Sequence, residues 1–387
     1  MREPSVRRFS LFYILYEMKM VKTERNSNLE LYRIIVMLLI VAHHYVVHGG
    51  LLSIAANDPL SVRSVFFHII GAWGKTGINC FVLITGYFMC TKSITLRKFA
   101  KLILTVVFYN VVIYFALVLV GVTQFDIRGC YDSIMPILWI GGGFVECYLV
   151  FYLFIPFFNI LVRNATRRQL AMLIVLCLCI YSFYRFVPRS RVIYNEVMWY
   201  SVLYFISSFL RLYPPKLKKP FTVYATGGGI CLLLALLVML YSLKSGVGIE
   251  NMSAWRGVQG SSTPLALLLA LSLFLIFKDL RVPQSRVINR IAATTFGVLL
   301  IHDNNWDMRR FLWHDIFANA AHYGDTLFFL RPLVVILLVF AACSAIDALR
   351  LRFVEPLFFS ILSRVESRVR PIYRRFLRSK TTGFDMK

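Results

Sequence analysis

The sequence is poor in charged residues, and acidic residues are the scarcer kind. Only 16% of its 387 residues are charged and 58% are hydrophobic, with 19 Asp and Glu against 43 Lys and Arg. So little charge excludes an ordinary soluble domain, and a mean hydropathy of +0.68 indicates a polytopic membrane protein. The basic excess falls mainly in short loops between apolar runs, as in membrane proteins generally, so we expect no nucleic-acid partner.

Several chemical signatures are also absent. Seven of the eight cysteines lie in apolar runs, where cysteine acts as a small hydrophobe, and Cys130 has no obvious loop partner. No disulfide framework or CxxC metal motif is therefore expected. The chain has no Walker motif, no dinucleotide fingerprint and no GxSxG elbow, so nothing indicates a serine hydrolase mechanism.

Apolar runs predict an all-α protein with about ten transmembrane helices. Basic residues favour one side of these runs, which predicts that both termini are cytoplasmic; a loop with Arg185, Arg189 and Arg191 is a local exception. Around the membrane domain (29–349) we expect a cytoplasmic or interfacial segment (1–28) and a basic cytoplasmic tail (350–387) on the anionic leaflet. The expected spans are 29–48, 66–90, 98–121, 143–163, 169–187, 197–212, 221–243, 262–277, 287–303 and 327–349.

The first span carries a polar stripe. Arg33 and His44 are three helical turns apart, so they share a face and lie about 16 Å from each other along the axis. Glu30 lies within ion-pairing reach of Arg33, and His48 extends the stripe by one turn. Ionisable groups inside a span are costly unless they face protein or water, so this stripe is a candidate functional site.

Three interpretations of the stripe remain open. It is a polar contact between helices, a metal site, or a site of reaction or transport. His44 and His48 have the spacing of a zinc pair, but zinc requires a third protein ligand and the sequence clearly nominates none. We therefore expect no metal.

Other polar residues could line a channel with this stripe. Each of them alone is more typical of a hydrogen-bonded packing residue, but His302 and Asp303 are the better candidates because they lie at about the depth of His44. The candidates in the spans are Asn79, Asn110, Glu146, Asn159, His302 and Asp303. The outer segment 303–326 is long and rich in acidic residues, His and Trp, which predicts an interfacial helix or a lid over an outward cavity.

A basic cluster opens the third span at the cytoplasmic side. The general excess of basic residues in inner loops is enough to explain Arg97, Lys98 and Lys101. Together with Arg33, they could also hold an anionic, phosphorylated ligand.

In order along the chain, these motifs resemble the membrane-bound acyltransferase 3 family. An acidic residue three before an arginine, with a histidine eleven positions later, is typical of its first helix. GINCFVLITGYFM at 77–89 is similar to a second family segment, with Thr85 where serine is usual. CYLVFYLFIPFFN at 147–159 and TTFGVLLIH at 294–302 resemble two more. Lys98 and Lys101 stand where the family has two arginines, and lysine offers a point charge rather than a planar fork.

The resemblance implies transfer of an acyl group, commonly acetyl, from cytoplasmic acyl-CoA to a hydroxyl of a cell-surface glycan or its lipid-linked precursor. His44 would then be the catalytic base or acyl carrier, Arg33 with Glu30 would position donor or base, and the basic cluster would hold the donor's phosphates. No cofactor is implied beyond acyl-CoA as co-substrate. The implied location is the bacterial cytoplasmic membrane. A transporter or polymerase of lipid-linked glycan is the alternative.

Overall fold

The chain folds almost entirely into helices. A computed structural model describes residues 26–138, 140, 143–189, 195–246 and 253–382, without side chains at 185, 253 and 369–382. Helices make up 77% of the structure, and this part of the chain contains no strand. The all-α prediction is confirmed. Most of the predicted N-terminal segment, Arg191 and the side chain of Arg185 lie outside the described residues.

The described residues form fifteen α-helices. Turns of π-helix follow three of them, at Cys179–Phe183, Phe311–Ile316 and Arg350–Val354. The α-helices are α1 (Ser27–Val47), α2 (Leu51–Ala55), α3 (Val62–Gly71), α4 (Gly74–Met89), α5 (Leu96–Leu119), α6 (Ile127–Ile134), α7 (Phe144–Asn164), α8 (Arg167–Leu178), α9 (Glu196–Leu212), α10 (Pro220–Lys244), α11 (Pro264–Asp279), α12 (Arg286–His302), α13 (Trp306–Arg310), α14 (Leu330–Leu349) and α15 (Glu355–Thr382).

Six helical stretches among the described residues are long and apolar enough to cross a bilayer, which makes this a multi-pass membrane protein. The remaining four predicted spans fall on α8, α9, α11 and α12, which have 12, 17, 16 and 17 residues. Those lengths are at or below the lower limit for a span, but the helical stretch that begins with α8 continues through the π turn Cys179–Phe183 and the 3-10 turn Tyr184–Phe186. The six long stretches are Ser27–Val47, Val62–Met89, Leu96–Leu119, Phe144–Asn164, Pro220–Lys244 and Leu330–Arg368.

Helix α1 lies at the centre of the bundle. It packs against α3, α4, α11, α12 and α14. Its contact with α4 is close because Gly77 faces Ile40, where a Cβ atom would lie 2.8 Å from a side-chain carbon. A central position shields the polar stripe of α1 from lipid, which removes most of the cost of placing charged groups in a span.

Helices α1 and α12 run parallel. At their first turns the Ser27 hydroxyl donates to the Asn289 amide oxygen (3.1 Å) and accepts from the Ser285 backbone N–H (2.9 Å). At their last turns His44 contacts His302. The Ser285 side chain begins α12 by capping the N–H of Ile288. This alignment brings the ends of both helices to one level.

The outer segment, residues 303–326, covers those helix ends. Asn319 donates its side-chain N–H to the backbone carbonyl of Tyr45 at 3.0 Å. Trp313 is fully buried and packs edge-on against Tyr45 and His302. The segment also contains the helix Trp306–Arg310 and the π turn Phe311–Ile316, so both structures predicted for it, an interfacial helix and a lid, stay predictions.

Candidate active site

Two histidines and one backbone carbonyl form a chain of hydrogen bonds. His302 Nδ1 lies 2.6 Å from the carbonyl oxygen of Val298, and His302 Nε2 lies 2.9 Å from His44 Nδ1. A carbonyl oxygen only accepts, so Nδ1 of His302 carries a proton. In the neutral ring Nε2 then accepts, and His44 Nδ1 is the donor. This assignment leaves the lone pair of neutral His44 on Nε2.

A carboxylate lies beside that lone pair. Asp303 Oδ2 is 3.6 Å from His44 Nε2, and Asp303 Oδ1 is 3.4 Å from His48 Nε2. The side chains of His44 and Asp303 are only 12% and 17% exposed, so both are largely shielded from solvent. A basic nitrogen next to a carboxylate that stabilises its protonated form is the arrangement of a general base.

Arg309 joins the site from the outer segment. Its Nε lies 2.6 Å from Asp303 Oδ1, and its Nη2 donates to the Asp303 backbone carbonyl at 3.3 Å. Glu146 lies in the first turn of α7, and the charges of Arg309 and Asp303 both act on its carboxyl group. The sequence did not identify Arg309, because nothing in the pattern separates it from the adjacent Arg310. Only the turn after α12 brings it back over Asp303.

The structure brings together His44, His302 and Asp303, which were predicted to lie at one depth, and it adds His48 from the next turn of the stripe. One ligand atom from each of His44, His48 and Asp303 lies within 4.8 Å of the other two. Asp303 therefore supplies the third side chain that the sequence did not nominate for a metal site.

Glu30 and Arg33 lie at the other end of the α1 stripe. Their ion pair has an N–O distance of 3.0 Å, and the arginine side chain is 27% exposed. The Tyr148 hydroxyl lies 3.0 Å from that of Thr85. The segments 77–89 and 147–159 therefore contact each other.

The basic cluster at the start of α5 is divided. Arg97 and Lys98 are exposed. Lys101 forms an ion pair with Glu355 at 2.6 Å, and Glu355 also pairs with Arg350 at 3.3 Å. A ligand phosphate at Lys101 would have to compete with that carboxylate.

Asn79 lies in a packing contact. Its side-chain N–H donates to the Ser261 carbonyl at 2.8 Å, and its oxygen accepts from the Trp199 indole at 2.9 Å. Asn79 is fully buried, so this contact between α4, α9 and the loop before α11 accounts for its polarity.

A helical membrane protein whose central helix carries an oriented histidine beside a carboxylate is equipped for acid–base chemistry within its membrane domain. The model of the acyltransferase 3 family, described as an acyltransferase domain, matches residues 26–349. The chain belongs to this family and is a membrane acyltransferase. No curated protein and no solved structure matches it significantly.

Proposed function

We propose that the protein transfers an acyl group, in the simplest case acetyl, from cytoplasmic acyl-CoA to a hydroxyl of a cell-surface glycan or its lipid-linked precursor. The observation that carries this proposal is the hydrogen-bond chain from Val298 through His302 to His44. It gives His44 a defined basic nitrogen at the outer end of a stripe that begins at Arg33.

In the proposed reaction, His44 Nε2 takes the proton of the acceptor hydroxyl as its oxygen attacks the thioester carbonyl. The carbon–sulfur bond breaks, the new ester forms, and the proton passes from His44 to the departing thiolate. Asp303 stabilises the transient imidazolium from 3.6 Å. Arg309 holds Asp303 in place, while His302 fixes the ring of His44.

The two substrates enter from opposite sides in this account. The donor comes from the cytoplasm, with its phosphates on Arg97 and Lys98 and its acyl arm along the stripe past Arg33. The acceptor approaches from outside, near His48, Glu146 and Asp303. The residues of the protein supply the acid–base chemistry, with acyl-CoA as co-substrate and no further cofactor.

We place the chain in the bacterial cytoplasmic membrane with ten spans and both termini inside. The parallel α1 and α12 support this topology. They are the first and ninth predicted spans, so an odd number of crossings must separate them, and seven are predicted. The bias of basic residues toward one side supports the same orientation.

The test of this function is a comparison of cells carrying the wild-type protein and His44→Ala. We expect the variant to lose acylation of the glycan while the glycan still reaches the surface. Loss of the surface glycan itself would favour the transporter. The exposed His322, in the outer segment but paired with Asp325, provides the control variant His322→Ala, in which acylation is retained.

A further inference from the structure

We propose that His44, His48 and Asp303 form a binding site for a divalent transition-metal cation of the zinc class, and that the cation inhibits the enzyme. Two imidazoles and one carboxylate are ligands that zinc accepts in sites with an open fourth position. Their ligand atoms lie within 4.8 Å of one another.

The spacing of these atoms fits a tetrahedral ion. Bonds of about 2.0–2.1 Å at a tetrahedral angle place two ligand atoms about 3.3–3.5 Å apart. Asp303 Oδ2 lies 3.6 Å from His44 Nε2, and the other oxygen, Asp303 Oδ1, lies 3.4 Å from His48 Nε2. Each separation is long for a hydrogen bond and close to the edge of such a tetrahedron, and one oxygen bound to the ion would have to approach both nitrogens.

The residues around the ligands orient them as in metal sites. A metal-binding histidine usually donates its second ring N–H to a neighbouring acceptor, which fixes the tautomer. His44 Nδ1 donates to His302, so Nε2 is free to bind the ion. Arg309 holds Asp303 through Oδ1, while Oδ2 faces His44. Binding of the ion through Oδ2 would leave Arg309 on Oδ1, and Oδ2 would then take the place of Oδ1 beside His48.

The nitrogen that would bind the ion is the one proposed to accept the substrate proton. A cation on His44 Nε2 therefore blocks proton transfer. This inhibitory effect rests on the proposed function; binding of the cation does not.

Binding is measured by titrating Zn²⁺ into the full-length protein, purified in detergent and freed of metal by a chelator, with no acyl donor present. We expect one saturable site that Mg²⁺ does not occupy, because magnesium prefers oxygen ligands. The dissociation constant should rise at least tenfold in His48→Gln and in Asp303→Asn. In His302→Asn, which removes the acceptor for His44 Nδ1, it should rise roughly 10- to 100-fold.

The matched control is His322→Ala, which removes an exposed histidine beside a carboxylate elsewhere in the outer segment. Its zinc binding should be unchanged. His48 lies at the end of α1, where a substitution should not prevent folding. If Asp303→Asn does not fold, zinc binding by His48→Gln therefore decides the test. Lack of saturable binding, or equal binding by wild type and His48→Gln, overturns the site. If zinc binds but does not inhibit acyl transfer, the metal site is supported, and the role of His44 as the base that accepts the substrate proton is contradicted.

Discussion

The position of one proton on each of two imidazoles decides what His44 can do. The Val298 carbonyl fixes the proton of His302, and His302 in turn fixes that of His44. A ring with the opposite tautomer would present an N–H toward Asp303 and could not act as a base from that nitrogen.

Two substitutions of His302 separate its acceptor atom from its donor atom. Glutamine places a carbonyl oxygen near the position of Nε2, so it can still accept from His44. Asparagine places an amide N–H near Nδ1, so it keeps the bond to Val298 and loses the one to His44. We expect His302→Gln to retain most activity and His302→Asn to lower kcat roughly 10²-fold, the loss that a misplacement of a catalytic group by about 1 Å can cause.

Steady-state kinetics with acyl-CoA and acceptor measure this difference, with melting temperatures as a check on folding. The KM values should change little in either variant, because His302 orients the base and binds neither substrate. Equal kcat values in the two variants would show that orientation of His44 is not the function of His302.

The sequence grouped His44, His302 and Asp303 by depth, because they lie near the same end of their predicted spans, but it did not give the hydrogen bonds between them. The order of the hydrogen bonds, and the presence of Arg309, depend on the turn after α12. No helical period describes that turn.

Helix α12 is held against α14 at a point where no side chain fits. A Cβ atom on Gly297 would overlap the carboxylate of Asp347. Asp347 is fully buried, accepts from the Tyr109 hydroxyl at 2.6 Å and pairs with Arg350 at 2.6 Å. The carboxylate is therefore fixed from two directions and cannot move aside for a methyl group.

Gly297→Ala should consequently push α12 away from α14. Overpacking of this kind costs about 1–3 kcal/mol. Because His302 lies on the same helix, we expect both a lower melting temperature and a lower kcat. Gly229→Ala in α10 is the control, since nothing lies within 4 Å of its added Cβ. Similar behaviour of the two variants would contradict the close packing at Asp347.

Substitutions of Lys98 and Lys101 should have different effects, although the resemblance to the family implies that both lysines hold the phosphates of the donor. Lys98 is exposed, so Lys98→Gln should raise the KM for acyl-CoA and leave kcat and the melting temperature unchanged. Lys101→Gln leaves Glu355 without its closest cation and should lower the melting temperature. If Lys101→Gln leaves the melting temperature unchanged and raises the KM for acyl-CoA, Lys101 binds the donor as the resemblance implied.

For the molecule as a whole, composition predicted the helical class and the membrane environment, and these are confirmed. Hydropathy also located all ten predicted spans on helices. It could not decide whether the short helices α8, α9, α11 and α12 cross, because about 17 residues is the lower limit for a span. Burial against α1 also lets α12 carry polar groups that lower its hydropathy.

Cysteine labelling tests the crossings by the short helices. In a protein with Cys130 replaced by serine, Pro188→Cys lies between α8 and α9, and Pro283→Cys lies between α11 and α12; both positions are exposed. A membrane-impermeant maleimide added to intact spheroplasts should label position 188 and reach position 283 only after permeabilisation. Protection of 188 would mean that α8 and α9 do not cross, and labelling of 283 would mean the same of α11 and α12.

The most direct test of the central claim uses purified protein with radiolabelled acetyl-CoA and a glycan extract. His44→Asn keeps an N–H near Nδ1 for the bond to His302 but has no basic nitrogen. We expect wild type to release CoA and label the glycan, and His44→Asn to be slower by about 10²- to 10⁴-fold, the contribution of a general base. Equal rates of acyl transfer in folded wild type and His44→Asn would contradict the assignment of His44 as the base.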